Sequence, residues 1–129
     1  MISLHDLKIL CIDRLEDANI LYKANRYDGA FYMSGYVVEM GLKKRICETL
    51  DWDEFPPKNS KDFSKFYKTH DLEILLQLSG VEKRIRTNFL PEWSVVMNWN
   101  PEKRYTSRTH TEQSALTMIN ASEILLKNL

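Results

Sequence analysis

Arg26-Tyr27-Asp28-Gly29-Ala30-Phe31-Tyr32-Met33-Ser34-Gly35-Tyr36-Val37-Val38-Glu39-Met40-Gly41-Leu42-Lys43 mixes apolar and small residues without strand-like alternation. We read a helix from about residue 28 to 50, started by the turn Asn25-Arg26-Tyr27-Asp28-Gly29. Ala30, Ser34 and Gly41, with Gly35 beside them, carry small side chains. Such residues cost helix propensity but let a second helix approach closely, so they read as tight core packing rather than a ligand site. Val37, Val38, Met40, Leu42 and Ile46 supply apolar surface. Glu39 and Lys43 stand four apart in the favourable Glu-then-Lys order.

On the N-terminal side, Leu4, Leu7, Cys11, Leu15, Ala18 and Tyr22 recur at steps of three and four, which predicts an amphipathic helix over 3–24. Ser3 is its expected cap, and Asp6 complements the positive end of the helix dipole. The short connection makes the two helices antiparallel neighbours. On the C-terminal side, Pro56 and Pro57 end the helical pattern, and residues 51–68 read as a long loop whose second half is rich in lysine. A third helix is expected over 70–79, capped by Thr69, with Leu72, Leu75 and Leu76 inward and Gly80 as its left-handed stop. A fourth stretch, 81–99, must kink or split at Pro91; Val81, Ile85, Phe89, Trp93, Val96 and Met97 are its inward residues. The last helix is expected over 110–128, opened by a Thr109–Glu112 capping box. No strand is expected. The sum is one domain over 1–129, an all-α antiparallel up-and-down bundle of four to five helices.

The chain has 129 residues, 43% hydrophobic and 28% charged, with 18 basic and 18 acidic side chains. Zero net charge excludes a domain held to nucleic acid by bulk charge, so any anion site is a local patch. Cys11 and Cys47 form no CxxC pair, and His5, His70 and His110 lack metal-ligand spacing, so no metal and no cofactor is expected. No apolar run is long enough to span a bilayer, and the mixed N-terminus is unlike a signal peptide; no membrane association and a cytoplasmic location are the expectations.

Two places carry candidate chemistry. Lys103, Arg104 and Arg108 cluster beside Thr106, Ser107, Thr109 and Thr111 just before the last helix, a combination suited to an anion. A solvated loop before a well-capped helix has the same composition. His70 and Asp71, at the start of the third helix and next to the lysine-rich loop, form either a helix-start cluster or part of a polar binding pocket. Lys43-Lys44-Arg45 reads as helix surface.

Three blocks, in order, give the chain a resemblance: the run 26–43, Lys68-Thr69-His70-Asp71-Leu72, and Arg104-Tyr105. Together they resemble the HEPN domain (higher eukaryotes and prokaryotes nucleotide-binding). The resemblance implies a helical bundle that forms a symmetric homodimer and binds RNA or nucleotides. Many such proteins are metal-independent endoribonucleases of toxin–antitoxin or defence systems, with an Arg and a His a few residues apart. Here Arg104 and His110 have five residues between them. An arginine fork holds the scissile phosphate, and an imidazole takes the proton of a ribose 2′-hydroxyl, giving a cyclic phosphate. Lys103, Tyr105 and Arg108 are the neighbouring binding candidates. Tyr105 stands where catalytic members carry a polar residue, which keeps two alternatives open. One is a non-catalytic module partnering a minimal nucleotidyltransferase, with Tyr105 a candidate acceptor of modification. The other is a nucleotide receptor without cleavage.

Overall fold

The computed structural model describes residues 1–57, 69–102 and 109–129. Its elements are β1 (Ile2–Ser3), α1 (Leu4–Lys23), α2 (Tyr27–Leu50), β2 (Glu54–Phe55), α3 (Leu72–Leu78), α4 (Glu82–Asn88), α5 (Leu90–Val96) and α6 (Glu112–Lys127). The protein is mostly helical, as expected. The fourth expected stretch is divided in two at Phe89, which brings the described helices to six. Pro91 sits in the first turn of α5, where its missing N–H costs no intrahelical bond.

Local chemistry explains the element ends. Ser3 Oγ accepts from Asp6 N at 3.0 Å and starts α1. Asn25, in the left-handed region at φ 61°, turns the chain between α1 and α2, and Arg26 N donates to Leu21 O at 2.8 Å. Asp71, not Thr69, caps α3: its Oδ1 accepts from Glu73 N and Ile74 N, while Thr69 Oγ1 accepts from Asp71 N one step earlier. Gly80 has φ 80° and ends that segment as expected. The last helix starts later than the Thr109–Glu112 box predicts. Thr111 is its cap, accepting from Ser114 N at 3.1 Å, because the N–H groups of Thr109 and His110 are both taken by Asp28.

No strand was expected, yet β1 and β2 pair antiparallel, Ile2 opposite Phe55 and Ser3 opposite Glu54. Leu4 N extends the pairing to Asp53 O at 2.8 Å. This clamp ties the start of α1 to the end of α2, while Tyr22 and Tyr27 touch at the other end, so α1 and α2 run antiparallel. The directions of the remaining helices depart from a strict up-and-down order. Glu39 meets His70 and Thr49 meets Ser79, so α3 runs in the same sense as α2. The path then returns through α4 and α5 until Trp99 reaches Tyr32. Finally α6 runs along α2, from Phe31 against His110 to Gly41 against Leu126.

The core sits around α2. Val38, Leu42 and Ile46 pack with Leu7 of α1, Leu72, Leu75 and Leu76 of α3, Ile85, Trp93 and Met118. A smaller cluster of Ala18, Ala30, Ala115 and Ile119 joins α1, α2 and α6 where small side chains permit close contact. Gly41 serves the same end, since a Cβ there would lie 3.2 Å from Leu126 Cδ1 and 3.3 Å from Leu129 Cδ1. Gly35 differs from the expectation: it admits the indole of Trp99 rather than a helix. Met97, expected inside, is 42% exposed because α5 has already ended at Val96. Lys43, expected at the surface, is only 7% exposed. Among the described residues, no helix is long and apolar enough to cross a membrane.

Candidate functional site around His110

The sequence places His110 and Asp28 far apart, and the meeting of α2 with the approach to α6 brings them together. Asp28 Oδ1 accepts the backbone N–H of His110 at 2.9 Å and of Thr109 at 3.2 Å. The carboxylate also sits in the first turn of α2, at the positive end of that helix. Its contacts fix the backbone that carries the imidazole. The ring itself stacks on Phe31, with centroids 3.7 Å apart and planes 12° from parallel. His110 Nδ1 lies 3.2 Å from Ser114 Oγ, one turn into α6. Among the described residues, Nε2 has no hydrogen-bond partner. The imidazole is thus held on one face and at one nitrogen, and the second nitrogen is available.

His110 forms one wall of a cavity of about 470 Å³ whose other walls are Leu21, Asn25, Arg26, Tyr27, Asp28 and Gly29. That volume lies within the range of small-molecule sites. The polar inventory is mixed. Tyr27 donates to Asn25 Oδ1 at 2.9 Å, and Asp28 is occupied as described. Beside the cavity, Tyr22 donates to Glu112 Oε1 at 3.4 Å. Partial desolvation, with the Glu112 carboxylate next, raises the Tyr22 hydroxyl above its ordinary value. Tyr22 therefore stays a neutral donor across the physiological range.

Lys103, Arg104, Tyr105 and Arg108, the rest of the candidate anion cluster, lie outside the described residues. So do the lysines at 58, 61, 65 and 68 of the long loop. The other sequence candidates, His70 and Asp71, occupy a second cleft of about 380 Å³ lined also by Thr69 and by Met97 to Glu102. Asp71 is engaged as the α3 cap. His70 Nδ1 lies 2.9 Å from Glu39 Oε1, although 61% of the His70 side chain is exposed. Glu39 is 1% exposed and accepts at Oε2 from Lys43 Nζ at 3.1 Å; that Nζ also stands over the Phe55 ring at 5.4 Å. A buried carboxylate held by an ammonium at one oxygen and an imidazole at the other has both oxygens satisfied. On α2 the residues that touch the two histidines, Phe31 and Glu39, stand eight positions, or about 12 Å of helix axis, apart.

Reading the sequence missed Arg26, Asp28, Phe31 and Ser114 as site residues. Ser114 was within reach, four positions after His110 at the spacing that aligns side chains on one helix face. The other three were read only as parts of α2. Among the described residues, no three His, Cys, Asp or Glu side chains group so as to hold a metal ion. No protein-family model matches the chain, and no curated protein or solved structure is significantly similar to it.

Proposed function

We propose that this chain is a HEPN-type protein that binds RNA or nucleotides at the His110 cavity, and that it cleaves RNA without a metal through Arg104 and His110. The observation that carries the reading is the held imidazole: stacked on Phe31, tied at Nδ1 to Ser114, without a partner at Nε2 among the described residues, and lining a nucleotide-sized cavity. A proton on Nδ1, donated to Ser114 Oγ, leaves the Nε2 lone pair to accept one. Nε2 then removes the proton of a ribose 2′-hydroxyl, whose oxygen bonds to the adjacent phosphorus. The bond from phosphorus to the 5′-oxygen breaks, the leaving oxygen takes a proton from solvent, and a 2′,3′-cyclic phosphate remains. Arg104 is assigned the charge that develops on the non-bridging oxygens. Purified protein is expected to cleave single-stranded RNA to cyclic-phosphate ends, and His110→Ala to abolish cleavage. A substrate with a 2′-deoxyribose at the cut site should bind and stay intact. Undiminished cleavage by His110→Ala would remove the imidazole from the mechanism.

A second reading, a non-catalytic module that pairs as a homodimer or with a minimal nucleotidyltransferase, has its own support. A small groove of about 220 Å³ between α1 and α2 is lined by Ile2, Leu10, Arg14, Met33, Tyr36 and Met40. Solvent-facing apolar surface of this kind suits a protein partner. The mass of the purified protein in solution, alone and co-expressed with a neighbouring nucleotidyltransferase, tests it; a monomer in both cases refutes it.

A further inference from the structure

Five arginines fall among the described residues, and four have partners. Arg14 pairs with Asp17 and Arg45 with Glu48, Arg84 donates to Asn128 O, and Arg86 binds Glu73 and Glu82. Arg26 has none among the described residues, yet its backbone is firmly placed. Its N–H donates to Leu21 O at 2.8 Å, and its carbonyl accepts from Ala30 N at 2.9 Å. It is exposed and lines the same cavity as His110. The nearby acids do not claim it: Asp28 is bonded to the amides of Thr109 and His110, and Glu112 to Tyr22.

We infer that Arg26 grips an internal phosphodiester of an RNA strand in the cavity it shares with His110, and that this cavity prefers a diester to a terminal phosphate. The inference rests on the functional reading above and adds to it a second arginine and a substrate class. A guanidinium presents a planar fork that matches two phosphate oxygens, and its charge persists at every relevant pH. The preference follows from Asp28. A diester carries one negative charge, which Arg26 offsets. A terminal phosphate carries nearly two, and the Asp28 carboxylate, which lines the same cavity, disfavours the second. An open-sided cavity also lets a strand enter and leave, as an internal diester requires.

The experiment is fluorescence anisotropy with a labelled single-stranded RNA decamer across a salt series, using wild type, Arg26→Gln and Arg26→Lys. Cleavage by wild type and by His110→Ala is followed separately. Arg26→Gln is expected to weaken binding about tenfold, the worth of one charge-assisted contact. It should also lower the slope of log affinity against log salt by about 0.7, the value for one phosphate contact on a single strand. Arg26→Lys should keep the slope and still lose affinity, because a point charge replaces the fork. Thermal melting of both variants should match wild type, since the side chain is exposed and has no hydrogen-bond or ion-pair partner among the described residues. Inorganic phosphate and AMP should displace the decamer only at far higher concentration than unlabelled decamer. Unchanged affinity and slope in Arg26→Gln would overturn the inference and leave the His110 reading standing. Displacement by AMP as effective as by decamer would overturn the diester preference. A wild type that binds no RNA would overturn both.

Discussion

Replacing Gly35 by alanine tests how the α2 face is built. A Cβ at this position would overlap the Trp99 indole at Cε2, Nε1 and Cδ2. Trp99 is 7% exposed, and its Nε1 donates to Tyr32 O at 3.1 Å. Its ring also lies edge-on to Tyr36 at 4.9 Å and tilted against Tyr32 at 5.8 Å. The indole must move. The lost hydrogen bond costs about 1 kcal/mol net. The two ring contacts cost about 1 kcal/mol each, and residual overpacking adds about 1–2 kcal/mol. Alanine's better helix propensity returns about 1 kcal/mol. The net loss is about 3–4 kcal/mol, or a melting temperature lower by about 10–15 °C for a chain of this size. Circular dichroism during heating and urea denaturation measure it. The decisive arm is a double-mutant cycle with Trp99→Ala. If the indole is the obstacle, Gly35→Ala in that background stabilises by about 1 kcal/mol, so the sign of its effect reverses. An equal loss in both backgrounds would refute the steric argument.

Lys43→Met leaves the buried Glu39 carboxylate with His70 alone and is expected to cost about 3–5 kcal/mol. The double variant Glu39→Leu/Lys43→Met should recover most of that loss in urea denaturation, because no charge is then left uncompensated. Burial raises the thiols of Cys11 and Cys47 to about 11. Both remain protonated in the folded protein after unfolded thiols have ionised. Their contribution is intact below the unfolded value of 9.0 and is lost as pH rises toward about 11, by up to about 3 kcal/mol for each. Urea denaturation at pH 8, 9, 10 and 11 should therefore fall more steeply for wild type than for Cys11→Ala/Cys47→Ala.

Helix extents were legible where a local signal coincides with the packing. Ser3 and Gly80 mark ends by signals local in the sequence, a hydroxyl that accepts from Asp6 N and a glycine at φ 80°, and Leu72, Leu75 and Leu76 form a stripe at helical spacing. What escaped depended on residues remote in the chain. A two-residue strand has no alternation to detect, so the pairing of Ile2 with Phe55 left no trace. The start of α6 shifted because Asp28, some eighty positions earlier, takes the Thr109 amide that the Glu112 side chain would accept in a capping box, together with the amide of His110. The i,i+4 spacing of Glu39 and Lys43 is the same on a surface or inside, and burial came from Phe55 and the segment carrying His70. At the site, His110 was identifiable by its spacing from Arg104 and by its place before a helix. Arg26 carried no sign that it would share its cleft, and Phe31 none that it would stack on its ring.

Phe31, Gly35, Glu39 and Lys43 stand at steps of four along α2, and each is met by a different part of the chain: His110, Trp99, His70 and Phe55. Side chains so spaced form one slightly inclined row on a helix. That row therefore sets the positions of four segments at once, and both histidine clefts inherit their placement from a helix whose opposite surfaces are held by α1 and α6. Turning α2 by one residue, about 100°, would break every one of these contacts together. Stability and the geometry of His110 are thus linked through α2, and substitutions along the row should damage both. Arg26 lies before the row, with a fixed backbone and a side chain that has no hydrogen-bond or ion-pair partner among the described residues. Its replacement separates the two properties: loss of RNA affinity without loss of melting temperature would assign Arg26 to recognition and the row beyond it to holding the imidazole in place.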